Sequence, residues 1–205
     1  MSYIDDIWES AKQGNIARLS ALITNKADVN VALHVAAQHG HSDAVQLLVD
    51  TRATLDVVDQ RGCTPLHGAA ESGYRDVVQV LVDAKATVNV NNEDGQTPLY
   101  RAAEQGHSDV LQVLIDAKAN LNVPDNYGST PLHLAVEEGH DSAVQALVAS
   151  KATVQVRDQA GFTPLRGAAL RGHGNTVRLL IDAHASFDAG GDHHAALLLS
   201  SAAIG

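Results

Sequence analysis

Residues 125–154 read DNYGSTPLHLAVEEGHDSAVQALVASKATV, and their order of turn, cap and two short apolar runs decides the fold. Asp125 starts a turn with its carboxylate, and Gly128 accepts the positive φ that closes it. Thr130 suits a helix N-cap because its hydroxyl can accept an orphan amide bond. Pro131 suits the next position, where no donor is needed and its φ is already helical. The run ends at Gly139 after barely two turns, and small Ala135 at its centre lets a neighbouring helix approach closely. A second run, as in DVLQVLIDA from Asp109 to Ala117, is apolar on most sides and leaves Gln112 and Asp116 for solvent, as expected of a helix held between neighbours.

The same unit recurs along the chain. Thr64-Pro65-Leu66-His67, Thr97-Pro98-Leu99-Tyr100, Thr130-Pro131-Leu132-His133 and Thr163-Pro164-Leu165-Arg166 stand 33 residues apart. Gly62, Gly95, Gly128 and Gly161 precede each Thr, and Gly73, Gly106, Gly139 and Gly172 follow it. Repetition at this period decides the architecture. At the N-terminus DDIWESAKQGN places Asp5 at the cap position, Ile7 at the Leu position and Gly14 at the helix-ending Gly, as a polar capping unit. At the C-terminus Ala196 to Gly205 fills the first-helix positions of a half unit.

One junction is short. In ADVNVALHVAA, residues 27–37, Val31-Ala32-Leu33-His34 falls 33 residues before Thr64-Pro65-Leu66-His67, while about seven residues are missing before it. They correspond to the hairpin, with its turn Gly and Thr-Pro cap. The first extended tip is therefore expected at VVDQRGC. The expected organisation over 1–205 is a capping repeat at 1–30, a repeat without its hairpin at 31–56, full repeats at 57–89, 90–122, 123–155 and 156–188, and a half repeat at 189–205.

These motifs closely resemble the ankyrin repeat over nearly the whole chain. The resemblance implies an all-α solenoid of stacked helix-turn-helix units with β-hairpin loops, in which hairpins and first helices form a concave surface and each repeat touches only its neighbours. The chain departs from the family in one column. The second helix usually ends there on Gly, but here the position holds Lys26, Arg52, Lys85, Lys118, Lys151 and His184. A side chain at a left-handed position costs roughly 1 kcal/mol, and a cation near a helix C-terminus returns about 0.3 to 1 kcal/mol. The column thus reads first as self-compensating, and second as a basic ladder for an acidic or phosphorylated partner.

Chemistry is hard to find. Seven of the 11 histidines fall at repeat positions: His34, His67 and His133 in the Thr-Pro-Leu-His slot, and His41, His107, His140 and His173 after the helix-ending Gly. In ankyrin-like folds such histidines bond the hairpin or neighbouring backbone, and regular stacking keeps equivalents too far apart to converge on a metal. The DAHASFDAGGDHH segment, 182–194, matches no tetrahedral ligand spacing and reads as a solvated loop. Cys63 follows a turn Gly with no fixed His nearby, and no nucleophile elbow or phosphate loop occurs. Neither a catalytic residue, a metal site nor a cofactor is expected.

Composition agrees with that reading. Only two Phe, one Trp and four Tyr are present, so the core must come from Ala, Val, Leu and Ile. The formal charge of -10 repels phosphate backbones and favours basic partners. The single cysteine, the absence of a secretory pattern in MSYIDDIWES and the lack of a long apolar run point to a cytoplasmic (intracellular) chain, with the nucleus left open, and to no membrane role. A monomer is expected.

The positions that vary between copies supply the expected partner surface. On the hairpin tips these are Arg61, Glu93, Asp94, Tyr127 and Phe162, beside Gln60, Cys63, Gln96, Asn126, Ser129, Gln159 and Ala160. The first helices add Glu71, Arg101, Glu104, Gln105, Glu137, Glu138, Leu170 and Arg171, and Tyr100 and Arg166 replace the usual His. The surface reads as acidic in the middle and apolar-basic at the last repeat, with Tyr127 and Phe162 as exposed anchors. The expected function is a non-catalytic protein-interaction scaffold whose concavity takes a partner protein or peptide with a basic segment, its acidic end toward Arg166 and Arg171. The alternative is a targeting or regulatory segment of a larger enzyme or channel. An engineered binder and a stand-alone enzyme follow; divergent copies argue against the first and the lack of a site against the second.

Overall fold

The computed structural model describes residues 3–24 and 29–185. Twelve α-helices run in order: α1 Tyr3–Lys12, α2 Ile16–Thr24, α3 Val29–Gln38, α4 Ser42–Asp50, α5 Pro65–Glu71, α6 Arg75–Asp83, α7 Pro98–Glu104, α8 Ser108–Asp116, α9 Pro131–Glu137, α10 Asp141–Ala149, α11 Pro164–Arg171 and α12 Gly174–Asp182. Odd-numbered helices stack on odd-numbered neighbours, even on even, and each odd helix packs on the even helix that follows it. The result is a two-layer solenoid.

Local chemistry builds each unit. Thr64, Thr97, Thr130 and Thr163 all sit at N-caps with extended backbone, each followed by a helix-starting Pro. The core is a pair of leucine columns. Leu33, Leu66, Leu99, Leu132 and Leu165 line one layer, Leu48, Leu81, Leu114, Leu147 and Leu180 the other, all essentially inaccessible. Each such burial contributes about 1.5–3 kcal/mol. Buried alanines such as Ala69, Ala102, Ala135 and Ala168 lie between the first helices, where their size permits close stacking. Gln112 and Asp116 face solvent, joined to each other by a side-chain bond of 2.9 Å.

The basic column behaves as its chemistry requires. Arg52, Lys85, Lys118, Lys151 and His184 all have φ between 63° and 71°, at the left-handed turn that ends each second helix. Lys26 lies outside the described residues. At Lys85 the turn is closed by bonds from Lys85 N to Val82 O at 3.0 Å and from Ala86 N to Leu81 O at 2.9 Å.

Two expectations need adjusting. Among the described residues no strand forms: the expected β-hairpins are tight turns, each closed by two backbone bonds within five residues, such as Asp125 N to Ser129 O at 2.9 Å and Gly128 N to Asp125 O at 3.0 Å. Asp5 lies in the first turn of α1, not at its cap, because that helix already begins at Tyr3. The short junction is as expected: helix α3 begins at Val29, so Asn30 to Leu33 is helical with no hairpin between them. The half repeat at 189–205 lies outside the described residues.

Asn30 keeps a repeat role despite the short junction. Its Oδ1 accepts Thr54 N at 2.8 Å, as Asp56 Oδ1 accepts Thr87 N, Asn89 Oδ1 accepts Asn120 N and Asn122 Oδ1 accepts Thr153 N. Four repeats are thus tied to their successors by the same bond.

Candidate functional site

The hairpin tips are organised by one carboxylate or amide each. Asp59 Oδ1 accepts Arg61 N and Cys63 N, Asn92 Oδ1 accepts Asp94 N and Gln96 N, and Asp125 Oδ1 accepts Tyr127 N and Ser129 N, all within 2.8–3.0 Å. Asp158 Oδ1 accepts Phe162 N at 2.8 Å. Successive tips are joined by backbone rungs: Glu93 N to Arg61 O at 3.0 Å, Asn126 N to Asp94 O at 2.9 Å, and Gln159 N to Tyr127 O at 3.0 Å. The ridge is therefore a fixed ladder.

Histidines brace it from below. His67 Nδ1 accepts Thr64 N at 3.1 Å, and His67 Nε2 lies 3.0 Å from Gln96 O of the next tip. His133 repeats this with Thr130 N at 3.1 Å and Phe162 O at 3.1 Å. Both bonds require the neutral ring carrying its proton on Nε2. Burial holds both imidazoles below the usual value of 6.5, and burial does the same for His34 against the opposing pull of Asp59. At Asp59 burial works to raise the pKa, but amide bonds from Cys63 and Arg61 outweigh it and hold the carboxyl low.

A pH dependence follows. With folded pKa values below 6.5, the unfolded chain binds more protons than the native one as pH falls through that value. Stability is complete above 6.5 and declines beneath it, by at most about 1.4 kcal/mol per pH unit for each histidine. Urea midpoints at pH 7.5 and 5.5 should show the loss, and a His67→Gln/His133→Gln variant should show a smaller one. Equal losses would remove these histidines from the acid response.

The second histidine series joins the layers. The rings of His107, His140 and His173 lie against Gly73, Gly106 and Gly139 of the preceding repeat. Their Nε2 atoms reach Glu71 O at 3.1 Å, Glu104 O at 3.1 Å and Glu137 O at 3.4 Å. His41 does the same with Lys12 O at 2.7 Å. The expected bonding of repeat histidines to neighbouring backbone is observed at these positions. His34 differs, with Nε2 3.7 Å from Asp59 Oδ2.

The structure rearranges the expected partner surface. Tyr100 is not exposed: its ring is 2 % accessible and its hydroxyl donates to Asp125 Oδ2 at 2.7 Å. Tyrosine reaches past the carbonyl that histidine would meet and braces the next tip through its carboxylate. Burial and the Asp125 bond push that hydroxyl's pKa up. Cys63 is likewise buried, its sulfur 3.5 Å from Asn92 Nδ2.

Arg101 is mostly covered. It pairs with Glu71 of the preceding repeat and with Glu104 at 2.5 Å, so the middle of the face is not a bare acidic field. Arg171 pairs with Glu137 in the same cross-repeat manner. Phe162 is half-buried, because the Arg166 guanidinium lies 4.0 Å from its ring centre. Arg166 is also half-buried.

Tyr127 at 72 % and Leu170 at 54 % accessibility remain exposed apolar anchors, and Arg61, Glu93, Asp94, Gln105 and Glu138 remain open to solvent. Sequence reasoning missed the apolar surface at Trp8, Val31 and Val58, which are 39 %, 38 % and 54 % accessible. The short junction was the signal for it.

Among the described residues no group of three or more His, Cys, Asp or Glu side chains could share a metal ion, and no helix is long and apolar enough to cross a membrane. A family model described as "Ankyrin repeats (3 copies)" matches residues 7–92, 84–158 and 127–190. Cortactin-binding protein 2 of Rattus norvegicus is 39 % identical over 66 residues, covering 28 % of this chain. The chain spans only 4 % of that relative's length. Ankyrin repeats are protein-interaction domains and typically carry no catalytic site. By its capped turns, its stacked helix pairs and a family match that runs through most of its length, this chain belongs to the ankyrin-repeat family.

Proposed function

We propose that the chain is a non-catalytic interaction scaffold whose concave hairpin and first-helix face docks a protein or peptide carrying a basic segment. One observation carries the reading: a ladder of bonded tips presents an exposed Tyr127 in a stretch that also carries the open carboxylates of Glu93, Asp94 and Glu138. Such a rigid face loses little entropy on binding, and an exposed aromatic beside matched charges is the usual anchor. The partner's acidic end runs toward Arg166 and Arg171. A partial likeness to a protein named for binding cortactin supports protein binding in general.

The cross-repeat ion pairs decide how to test it. Reversing Glu71, Glu104 or Glu137 would also break bonds to Arg101 or Arg171. Glu93, Asp94 and Glu138 are exposed, and among the described residues they form no ion pair within 4 Å. Changing all three to Lys should cut capture of a basic partner from cell extract by about tenfold or more with an unchanged melting curve. An unaltered set of captured proteins would sink the placement. The second reading, a regulatory or targeting segment of a larger enzyme or channel, is favoured by the matched relative's being far longer than the aligned stretch.

A further inference from the structure

The tip ladder has an open rung at its N-terminal edge. Gln60, Glu93, Asn126 and Gln159 occupy equivalent positions 33 residues apart. Gln159 uses two donors on its predecessor: its N–H meets Tyr127 O at 3.0 Å and its Nε2 meets Asn126 O at 2.9 Å. Asn126 does the same, with N–H to Asp94 O at 2.9 Å and Nδ2 to Glu93 O at 2.9 Å. Each therefore reads two successive backbone carbonyls of the tip before it. Gln60 carries the same pair of donors, but the short junction removes the tip they would meet. Among the described residues neither has a hydrogen-bond partner, and the side chain is exposed.

Beside this edge lies a groove of about 470 Å³ lined by Trp8, Val31, Val35, Val57 and Val58 together with Asn30 and Gln38, and among the described residues His34 and Asp59 are its titratable walls. Burial holds the His34 imidazole below its usual value, the Lys12 ammonium lies 4.8 Å over the Trp8 ring, and Asp59 is the one carboxylate that lines the groove among the described residues. Paired donors for backbone carbonyls, a cluster of Trp8 and valine side chains and one carboxylate stand together beside the short junction.

We propose that this notch is a second, separate docking site that takes an extended peptide segment of a partner protein. Two successive carbonyls of that segment bond Gln60 N–H and Nε2, continuing the ladder by one rung. An aliphatic side chain enters between Trp8, Val31 and Val58, and a neighbouring Lys or Arg faces Asp59. The site is N-terminal to the Tyr127 surface and shares none of the three carboxylates that test the proposed function, so either can fail alone.

The chain's one tryptophan reports on the groove directly. The probe is the acetylated and amidated pentapeptide alanyl-valyl-alanyl-lysyl-alanine, with a glutamyl-for-lysyl control, titrated to millimolar concentration against the full chain. Trp8 fluorescence and the Gln60 amide resonance should shift together and saturate, and the control peptide should bind several-fold more weakly. Gln60→Pro removes both donors at a turn position where Pro is favoured, and it breaks no bond of the fold. It should keep the native melting curve and weaken the peptide about tenfold or more. Val58→Ser should weaken it several-fold with the donors intact. Equal binding by Gln60→Pro, or shifts confined to the Tyr127 and Leu170 region, would overturn the site. A Gln60 shift that follows protein concentration without peptide would put a second copy there and overturn the peptide assignment. A Gln60 amide protected from exchange in the free chain would assign the rung to the chain's own residues, with the same consequence.

Discussion

Asp125→Ala should lower the stability of this chain by about 4 kcal/mol, because one carboxylate serves three donors in two repeats. Its Oδ1 accepts Tyr127 N at 2.9 Å and Ser129 N at 2.8 Å, and its Oδ2 accepts the Tyr100 hydroxyl at 2.7 Å. Bonds to a charged acceptor are worth about 1.5–3 kcal/mol each and do not add fully. The loss also strands a hydroxyl on a ring that is 2 % accessible. For a chain of this size the melting temperature should fall by roughly 8–16 °C. Asp125→Asn should cost less than half as much, since Asn92 already fills the equivalent turn and bonds Asp94 N and Gln96 N. In a Tyr100→Phe background the alanine change should cost less than in the native chain, because the stranded hydroxyl is gone. A drop below about 1 kcal/mol for Asp125→Ala would show that the turn holds without its carboxylate.

Gly106→Ala should cost about 3 kcal/mol, from two separable causes. The residue sits at φ 75°, where a side chain costs roughly 1–2 kcal/mol. A Cβ would also stand 2.6 Å from His140 Cγ, so the imidazole must move and give up its 3.1 Å contact with Glu104 O. Gly161→Ala supplies the comparison. Its φ is 79°, and no described atom lies within 4 Å of an added Cβ, so only the backbone cost of about 1–2 kcal/mol applies there. Denaturant midpoints for the two variants should differ by more than about 1 kcal/mol. If they agree, the His140 ring yields freely and the joint between repeats is softer than its geometry implies.

The periodic residues carried most of the fold in plain sight. Thr-Pro pairs marked helix starts, turn glycines marked tips, and even the unusual basic column showed its left-handed backbone through its place where Gly is usual. Those features are local, so a linear reading reaches them. The partner surface was less legible because exposure there depends on side chains from the next repeat. Tyr100 looked like a surface departure from histidine, yet its reach to Asp125 hides it. Glu71 and Arg101, or Glu137 and Arg171, look like independent surface charges until stacking brings them together. Phe162 read as an exposed anchor, but Arg166, one helical turn on, lies over its ring. The missing hairpin was visible as a gap in spacing. That it would uncover Trp8 and leave Gln60 at an edge needed the three-dimensional register.

The His67 bond to Gln96 O sets an order of events during synthesis. The ring that caps α5 gains its outer bond only when a carbonyl 29 residues downstream has been made, and His133 waits in the same way for Phe162. At 5–20 residues per second that is a delay of roughly 1.5–6 s per repeat. Helices α5, α7 and α9 leave the ribosome with these cross-repeat bonds unmade, and each is locked by its successor. The growing chain thus always carries one unfinished repeat at its trailing end, and native structure spreads from the N-terminus one repeat behind translation.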